Sequence, residues 1–226
     1  MKIAYVILPL LALAFPVHAD KQESPKKFKF DAKKAYVLAR TNGTPITLER
    51  LDPKTGKFFG GKNGPKKPSK EDDDATVGGR RAFLGSTGRS YYLTSLTPGD
   101  WVIMGNSRTC MCMGSYKFTV RAGEIIDIGM IEANRETSFV AADGQALPVP
   151  DDLRDRPYAI PDAIMVTPSQ DISALPTALA KLPVVLASYE VGIEFPNRRG
   201  RLVSRALGLP PIIPPRKRSV VSAPTR

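Results

Sequence analysis

Four sulfur side chains run consecutively at Cys110-Met111-Cys112-Met113, with Met104 shortly before them. Thiolates and thioethers are soft ligands of the kind that selects Cu(I). Paired thiols can also do redox work. Alternation along a strand sends the two thiols to one face and the two thioethers to the other, so one ion could not use all four. Three structural arrangements compete with the chemical ones. Two buried free thiols would pack as small hydrophobes. A Cys110–Cys112 disulfide would have to span Cα atoms about 6.6 Å apart in a straight strand, near the upper limit for bridging, and would be easily reduced. A bridge between two chains is the third. Structural cysteines are the preferred reading, and a Cu(I)-binding or thiol-redox centre on Cys110 and Cys112 is the alternative.

The second constellation is basic. No acid follows Glu194, whereas Arg198, Arg199, Arg201, Arg205, Arg216, Lys217, Arg218 and Arg226 do. Arg198, Arg199, Arg201 and Arg205 interleave with Leu202, Val203 and Leu207, which suits partial docking on a folded domain. Such a segment fits anionic envelope components or another envelope protein. The bland alternative is a frayed, solubilising end. Aromatic residues are missing between the arginines, and a single-strand nucleic-acid binder would need them for stacking.

Several other chemistries fail on residue type or spacing. The single histidine, His18, lies in an apparent export signal. Without it there is no Ser-His-Asp or Cys-His pair and no His-ligated zinc or copper site. Gly56 to Asn63 matches G-x-x-x-x-G-K but ends in Asn, then Gly64-Pro65, which cannot open the helix a phosphate-binding loop requires. Asp72, Asp73 and Asp74 are adjacent carboxylates without the spaced ligands of a calcium loop, so residues 62–74 read as a solvated polar loop. Asp127, Asp143, Asp151 and Asp152 show no spacing that marks a catalytic pair. Trp101, Tyr91 and Tyr92 read as sheet packing, the adjacent tyrosines on opposite faces. No catalytic residue and no cofactor is expected, and the chain reads as a non-enzyme.

Residues 1–19 place the protein. Lys2 precedes an apolar stretch from Ile3 to Phe15, and Val17 and Ala19 occupy the small positions of a signal-peptidase site. The stretch is shorter than the roughly 20 residues a membrane helix needs. A mature chain from Asp20, periplasmic or secreted and without a transmembrane span, is expected. The 226-residue precursor carries 33 Lys and Arg against 22 Asp and Glu, a net charge of +11. The charge excess sits mainly in the C-terminal tail.

Six prolines lie in residues 20–147 and thirteen in 148–226. Proline removes ladder donors, so a β domain is expected over residues 28–140, followed by a proline-rich, mostly extended basic segment over 141–226. Ser173 to Leu182 could form one short helix there, and Val184 to Phe195 one more strand. Within the domain, Ala35–Arg40, Ile46–Leu51, Ala82–Leu84, Tyr91–Leu96, Trp101–Met104, Cys110–Arg121 and Glu124–Ile131 read as strands. Turns at Asp52-Pro53-Lys54-Thr55-Gly56 and Thr97-Pro98-Gly99-Asp100 punctuate them. An antiparallel β-sandwich follows from this spacing. Period two puts Cys110, Cys112, Gly114, Tyr116, Phe118 and Val120 inward, with Met111, Met113, Ser115, Lys117, Thr119 and Arg121 outward. Ile126, Ile128 and Met130 should face in and Asp127 out.

The segments Leu93-Thr94-Ser95-Leu96-Thr97-Pro98-Gly99-Asp100-Trp101-Val102-Ile103 and Tyr116-Lys117-Phe118-Thr119-Val120-Arg121-Ala122-Gly123-Glu124 resemble a pattern of transthyretin-like, or carboxypeptidase-regulatory-like, sandwich domains of bacterial envelope proteins. The resemblance covers about 45 residues. It implies a prealbumin/Ig-like sandwich acting as an accessory or binding module, with no catalytic residues to transfer. The Arg108-to-Met113 insert departs from the pattern.

Overall fold

The computed structural model describes residues 22–59, 64–66, 73–79, 81–85, 90–135, 138–140, 146–148, 162–172 and 175–206. Residues 1–19, where an export signal is expected, Asp72 and the tail beyond Ala206 lie outside them. Among the described residues fifteen strands are formed. They are β1 (Ala35–Thr41), β2 (Ile46–Arg50), β3 (Asp74–Val77), β4 (Phe83–Leu84), β5 (Ser90–Leu96), β6 (Gly99–Gly105), β7 (Thr109–Cys110) and β8 (Tyr116–Val120). The later ones are β9 (Ile125–Arg135), β10 (Ser138–Val140), β11 (Ala146–Pro148), β12 (Asp162–Thr167), β13 (Val184–Leu186), β14 (Glu190–Val191) and β15 (Leu202–Val203). The chain is all-β as expected, and no helix occurs among the described residues. At the expected helix, residues 177–182 form turns, with the amides of Leu179 and Ala180 both donating to the Pro176 carbonyl. Ser173 itself lies outside the described residues.

The strands form two mixed sheets rather than purely antiparallel ones. One runs β12-β9-β1-β5-β4, with β13 also on β9; the other runs β14-β8-β6-β2-β3, with β7 on β6 and β15 on β7. β10 and β11 pair separately. Parallel pairing enters because the turn at Ala122–Gly123 carries the chain from β8 in one sheet to β9 in the other. There β9 lies parallel to β1 and to β13. Such strands are covered on both faces and so tolerate continuous apolar runs. Ala35 to Ala39 are all buried, as are Ile125 to Ile128.

Two apolar layers result. One cluster draws Val37, Ala39, Ile126, Ile128 and Ile164 from the first sheet and Ile46, Leu48, Trp101, Ile103 and Phe118 from the second. The other covers the far face of the first sheet. Tyr36, Leu38, Tyr91, Leu93 and Ile125 meet Leu175, Leu179 and Val184, with Phe28 and Phe30 from the chain before β1. Tyr91 and Tyr92 therefore do point to opposite faces, and both faces are packed. The Trp101 ring is fully buried, and its Nε1 donates to the Thr97 carbonyl at 3.0 Å.

The expected turn after Leu51 is formed. The Asp52 carboxylate accepts the amides of Lys54 and Thr55 at 2.7 and 2.9 Å, and Leu51 bridges Phe58. Sequence and structure part in two strands. Residues 110–121 are not one strand: the chain turns at 111–115, burying Met111 and Ser115 and leaving Met113 55% exposed. Alternation holds only from Tyr116 onward. In β9 the register shifts between Leu38 and Arg40 of its neighbour. Gly129 sits there at φ 80°, where a Cβ would approach the Thr167 carbonyl oxygen to 2.2 Å. Beyond this irregularity Ile131 and Ala133 face the core in place of Met130. Asp127 faces away from the first cluster, yet it is buried, because that side is covered too.

Candidate functional site

Two stretches singled out by residue type, the sulfur run and the arginine segment, meet in space. β6 ends at Gly105, whose φ of 110° and lack of a Cβ allow the Thr109 carbonyl to lie against it. Asn106 closes the turn. Its Oδ1 accepts the amides of Arg108 and Thr109 at 2.9 and 2.7 Å, and its Nδ2 donates to Asp162 Oδ2 at 2.7 Å. The Asp162 amide in turn donates to Thr109 Oγ1 at 2.6 Å. These buried polar groups satisfy one another, as burial demands, and tie β12 of the first sheet to the hairpin of the second.

From that turn the chain enters the sulfur run. Cys110 and Cys112 are joined in a disulfide, with Cα atoms 5.2 Å apart. The bend at 111–115 brings them closer than a straight strand would. Both cysteines are buried, and so is Met111. A disulfide carries no thiolate for soft-metal ligation. Among the described residues no three His, Cys, Asp or Glu side chains are grouped to hold a metal ion.

The returning segment lies along this loop. The amides of Phe195, Leu202, Ser204 and Ala206 donate to the carbonyls of Cys112, Arg108, Cys110 and Gly114. β15 thus runs parallel to β7. Residues 193–206 are docked chain, held by main-chain hydrogen bonds to residues 108–115. Phe195 is buried in the main core and packs edge-on to Phe58 with ring centroids 5.5 Å apart.

Docking brings the arginines over β2 and β3. Asn197 closes the turn that presents them, its Nδ2 donating to the Arg201 carbonyl at 2.7 Å and its Oδ1 accepting the Arg201 amide at 3.2 Å. At the centre is Glu49, whose side chain is 10% exposed. Arg198 Nη2 takes its Oε2, and Arg199 Nη2 takes its Oε1 at 3.0 Å. Arg198 also donates to the Phe59 carbonyl at 2.8 Å and lies over the Phe58 ring. Arg199 reaches Asp74 at 3.5 Å. Arg201 stands beside them, and its guanidinium makes no hydrogen bond or ion pair among the described residues. Burial pulls its pKa down, Arg199 pulls it down further, and Glu49 opposes both. Arg205 is engaged within the fold. Of the four expected contacts to anionic partners, two are therefore spent on an internal carboxylate. Glu49, in an alternating stretch of β2, carried no sequence signal. Its role follows only from what lands on it.

Other expected chemistry does not assemble. Asp143, Asp151 and Asp152 lie outside the described residues. Asp127 stands among Gly129, Ser169 and Arg40, and no second carboxylate acts on it among the described residues. A cleft of about 510 Å³ opens between β8 and residues 185–190. Its polar lining is paired between neighbours: Lys117 with Glu190 on the adjacent strand, Arg121 with Glu124 at 3.7 Å around the turn, and Thr119 Oγ1 donating to Asp100 Oδ1 at 2.6 Å. Among the described residues, no helix is long and apolar enough to cross a membrane. Comparison with known protein families, with curated proteins and with solved structures found no match to this chain.

Proposed function

We propose that this protein is an exported, non-enzymatic module of the bacterial cell envelope, built as a transthyretin-like sandwich, that attaches to anionic envelope components through its arginine-bearing face. The observation that carries the reading is the docked 193–206 segment. A basic stretch that could have frayed is hydrogen-bonded to the sheet through its main chain, and Arg199, 42% exposed, keeps part of its side chain at the surface of the docked segment. An organised cationic surface raises the local concentration of anionic partners. The buried Cys110–Cys112 disulfide suits the oxidising compartment that the N-terminal signal implies.

Vesicle sedimentation tests the reading. The protein is expected to sediment with vesicles containing anionic phospholipid, not with neutral ones, and to be released in about 1 M salt, where the screening length falls to about 3 Å. Equal sedimentation with both vesicle types would remove it.

A further inference from the structure

A second cleft opens on the outer face of the first sheet. Along β1 that face reads Tyr36, Leu38, Arg40. The first two lie under the apolar cover of Leu175, Leu179 and Val184. Arg40 stands beyond it and lines a cavity of about 510 Å³ with Thr41, Ser90, Met130, Glu132 and Thr167. Strand register brings these residues together. Arg40 lies opposite Tyr91 on β5 and Met130 on β9, and Thr167 on β12 lies opposite Met130. Glu132 shares the face of Met130, because Ile131 and Ala133 take the core side. The Arg40 guanidinium is fixed: its Nη2 donates to Ser169 Oγ at 2.9 Å, and its carbon lies 5.8 Å from the centre of the Tyr91 ring. Its Nε has no hydrogen-bond partner among the described residues. Asp127 shares Ser169 with Arg40 but does not line the cleft. Glu132 does line it, and among the described residues no ion pair joins it to Arg40. Strand spacing and rise set the two Cα atoms about 8 Å apart. In the cleft beside β8 the charged lining is paired between neighbours; here two opposite charges share a cavity and stay apart.

We propose that this cleft binds a short zwitterionic peptide, its terminal carboxylate on Arg40 and its terminal ammonium on Glu132. A guanidinium fork matches a carboxylate, and a carboxylate accepts well from an ammonium. The hydroxyls of Thr41, Ser90 and Thr167 can each donate and accept, which suits the N–H and C=O of a peptide group. The Met130 thioether adapts to small apolar side chains. A cavity of this volume is within the range that holds small ligands. The site lies on the first sheet and stands apart from the attachment reading, which concerns the arginine face of the second.

The test uses the full mature chain and dialanine as probe, followed by amide chemical shifts at Ser90, Met130 and Thr167. Saturable shifts are expected there. N-acetyl-dialanine lacks the ammonium and dialanine amide lacks the carboxylate; each should bind about tenfold more weakly, the loss of one charge-assisted contact. Glu132→Gln should weaken dialanine to the same degree with an unchanged unfolding midpoint. N-acetyl-dialanine should bind wild type and Glu132→Gln alike, because the contact that the substitution removes is already absent. Arg40→Gln should abolish the preference for dialanine over its amide; if that variant does not fold, Glu132→Gln with the acetylated probe decides the matter. Free alanine should bind more weakly than dialanine, having no peptide group for the hydroxyls. No saturable shift, equal binding of dialanine and its two blocked forms, or a further loss of the acetylated probe in Glu132→Gln would overturn the site. Alanine binding as tight as that of dialanine would overturn the peptide assignment.

Discussion

At the scale of single residues, buried charge and close backbone approach decide most of what can be changed. Asp127 is the clearest titrating case. Burial pushes its pKa up, against the Gly129 amide, the Ser169 hydroxyl and Arg40, which pull it down. The folded state therefore holds its proton more tightly than the unfolded chain. Below about pH 4, the ordinary carboxylate value, both states are protonated and this contribution is complete. As pH rises through the window between that value and the raised folded value, the unfolded chain ionises first and stability falls. Asp127→Asn cannot ionise. The difference in urea midpoint between the wild type and this variant should drift against the wild type as pH rises from 4. A difference that stays flat would contradict the burial effect. Gly105 makes a steric prediction. At φ 110°, with a Cβ position 2.1 Å from the Thr109 carbonyl oxygen, alanine cannot fit without moving the backbone. Gly105→Ala should cost about 3 kcal/mol or more, in the range of severe single-site mechanisms, measured by chemical denaturation.

Among elements, the pairing of β15 with β7 makes the disulfide loop the dock for the arginine segment. Four amides of that segment donate to carbonyls of residues 108–114. Replacing both cysteines with serine should lower the unfolding midpoint, because a covalent constraint on the loop is removed and two hydroxyls enter an apolar site. It should also speed amide exchange at Leu202, Ser204 and Ala206 more than at β1 or β5. Uniform acceleration across the molecule would mean that the disulfide does not govern docking. Glu49→Gln addresses the same segment from its other side. It leaves Arg198 and Arg199 facing a neutral amide, and a partly exposed pair of this kind should cost about 2 kcal/mol, less than a fully buried one.

For the whole molecule, the described residues after 140 are structurally continuous with those before. β12 and β13 pair with β9, β14 with β8, and β15 with β7. Leu175, Leu179 and Val184 cover the outer face of the first sheet. A chain ended after Ala206 should unfold cooperatively. One ended after Val140 should not, because both apolar layers lose part of their cover; a sharp calorimetric transition in the shorter chain would refute this. Local signals in the residues were enough for the all-β character, the Asp52 turn, the inward set from Tyr116 to Val120 and the opposed tyrosines. Each depends on period two or on turn stereochemistry, which neighbouring residues carry themselves. The mixed pairing was not legible, because parallel strands are joined by long connections whose partners no local pattern names. The inward turn of Met111 and Ser115 was hidden for a related reason. A bend overrides alternation, and the bend is stabilised by residues 193–206, some ninety positions away. The sequence alone therefore determined which groups were available: sulfur in a row, arginine without acid, and no histidine beyond His18. The tertiary structure decided which of them meet, since distance along a chain sets neither pairing nor burial once strands from its far end return to the core.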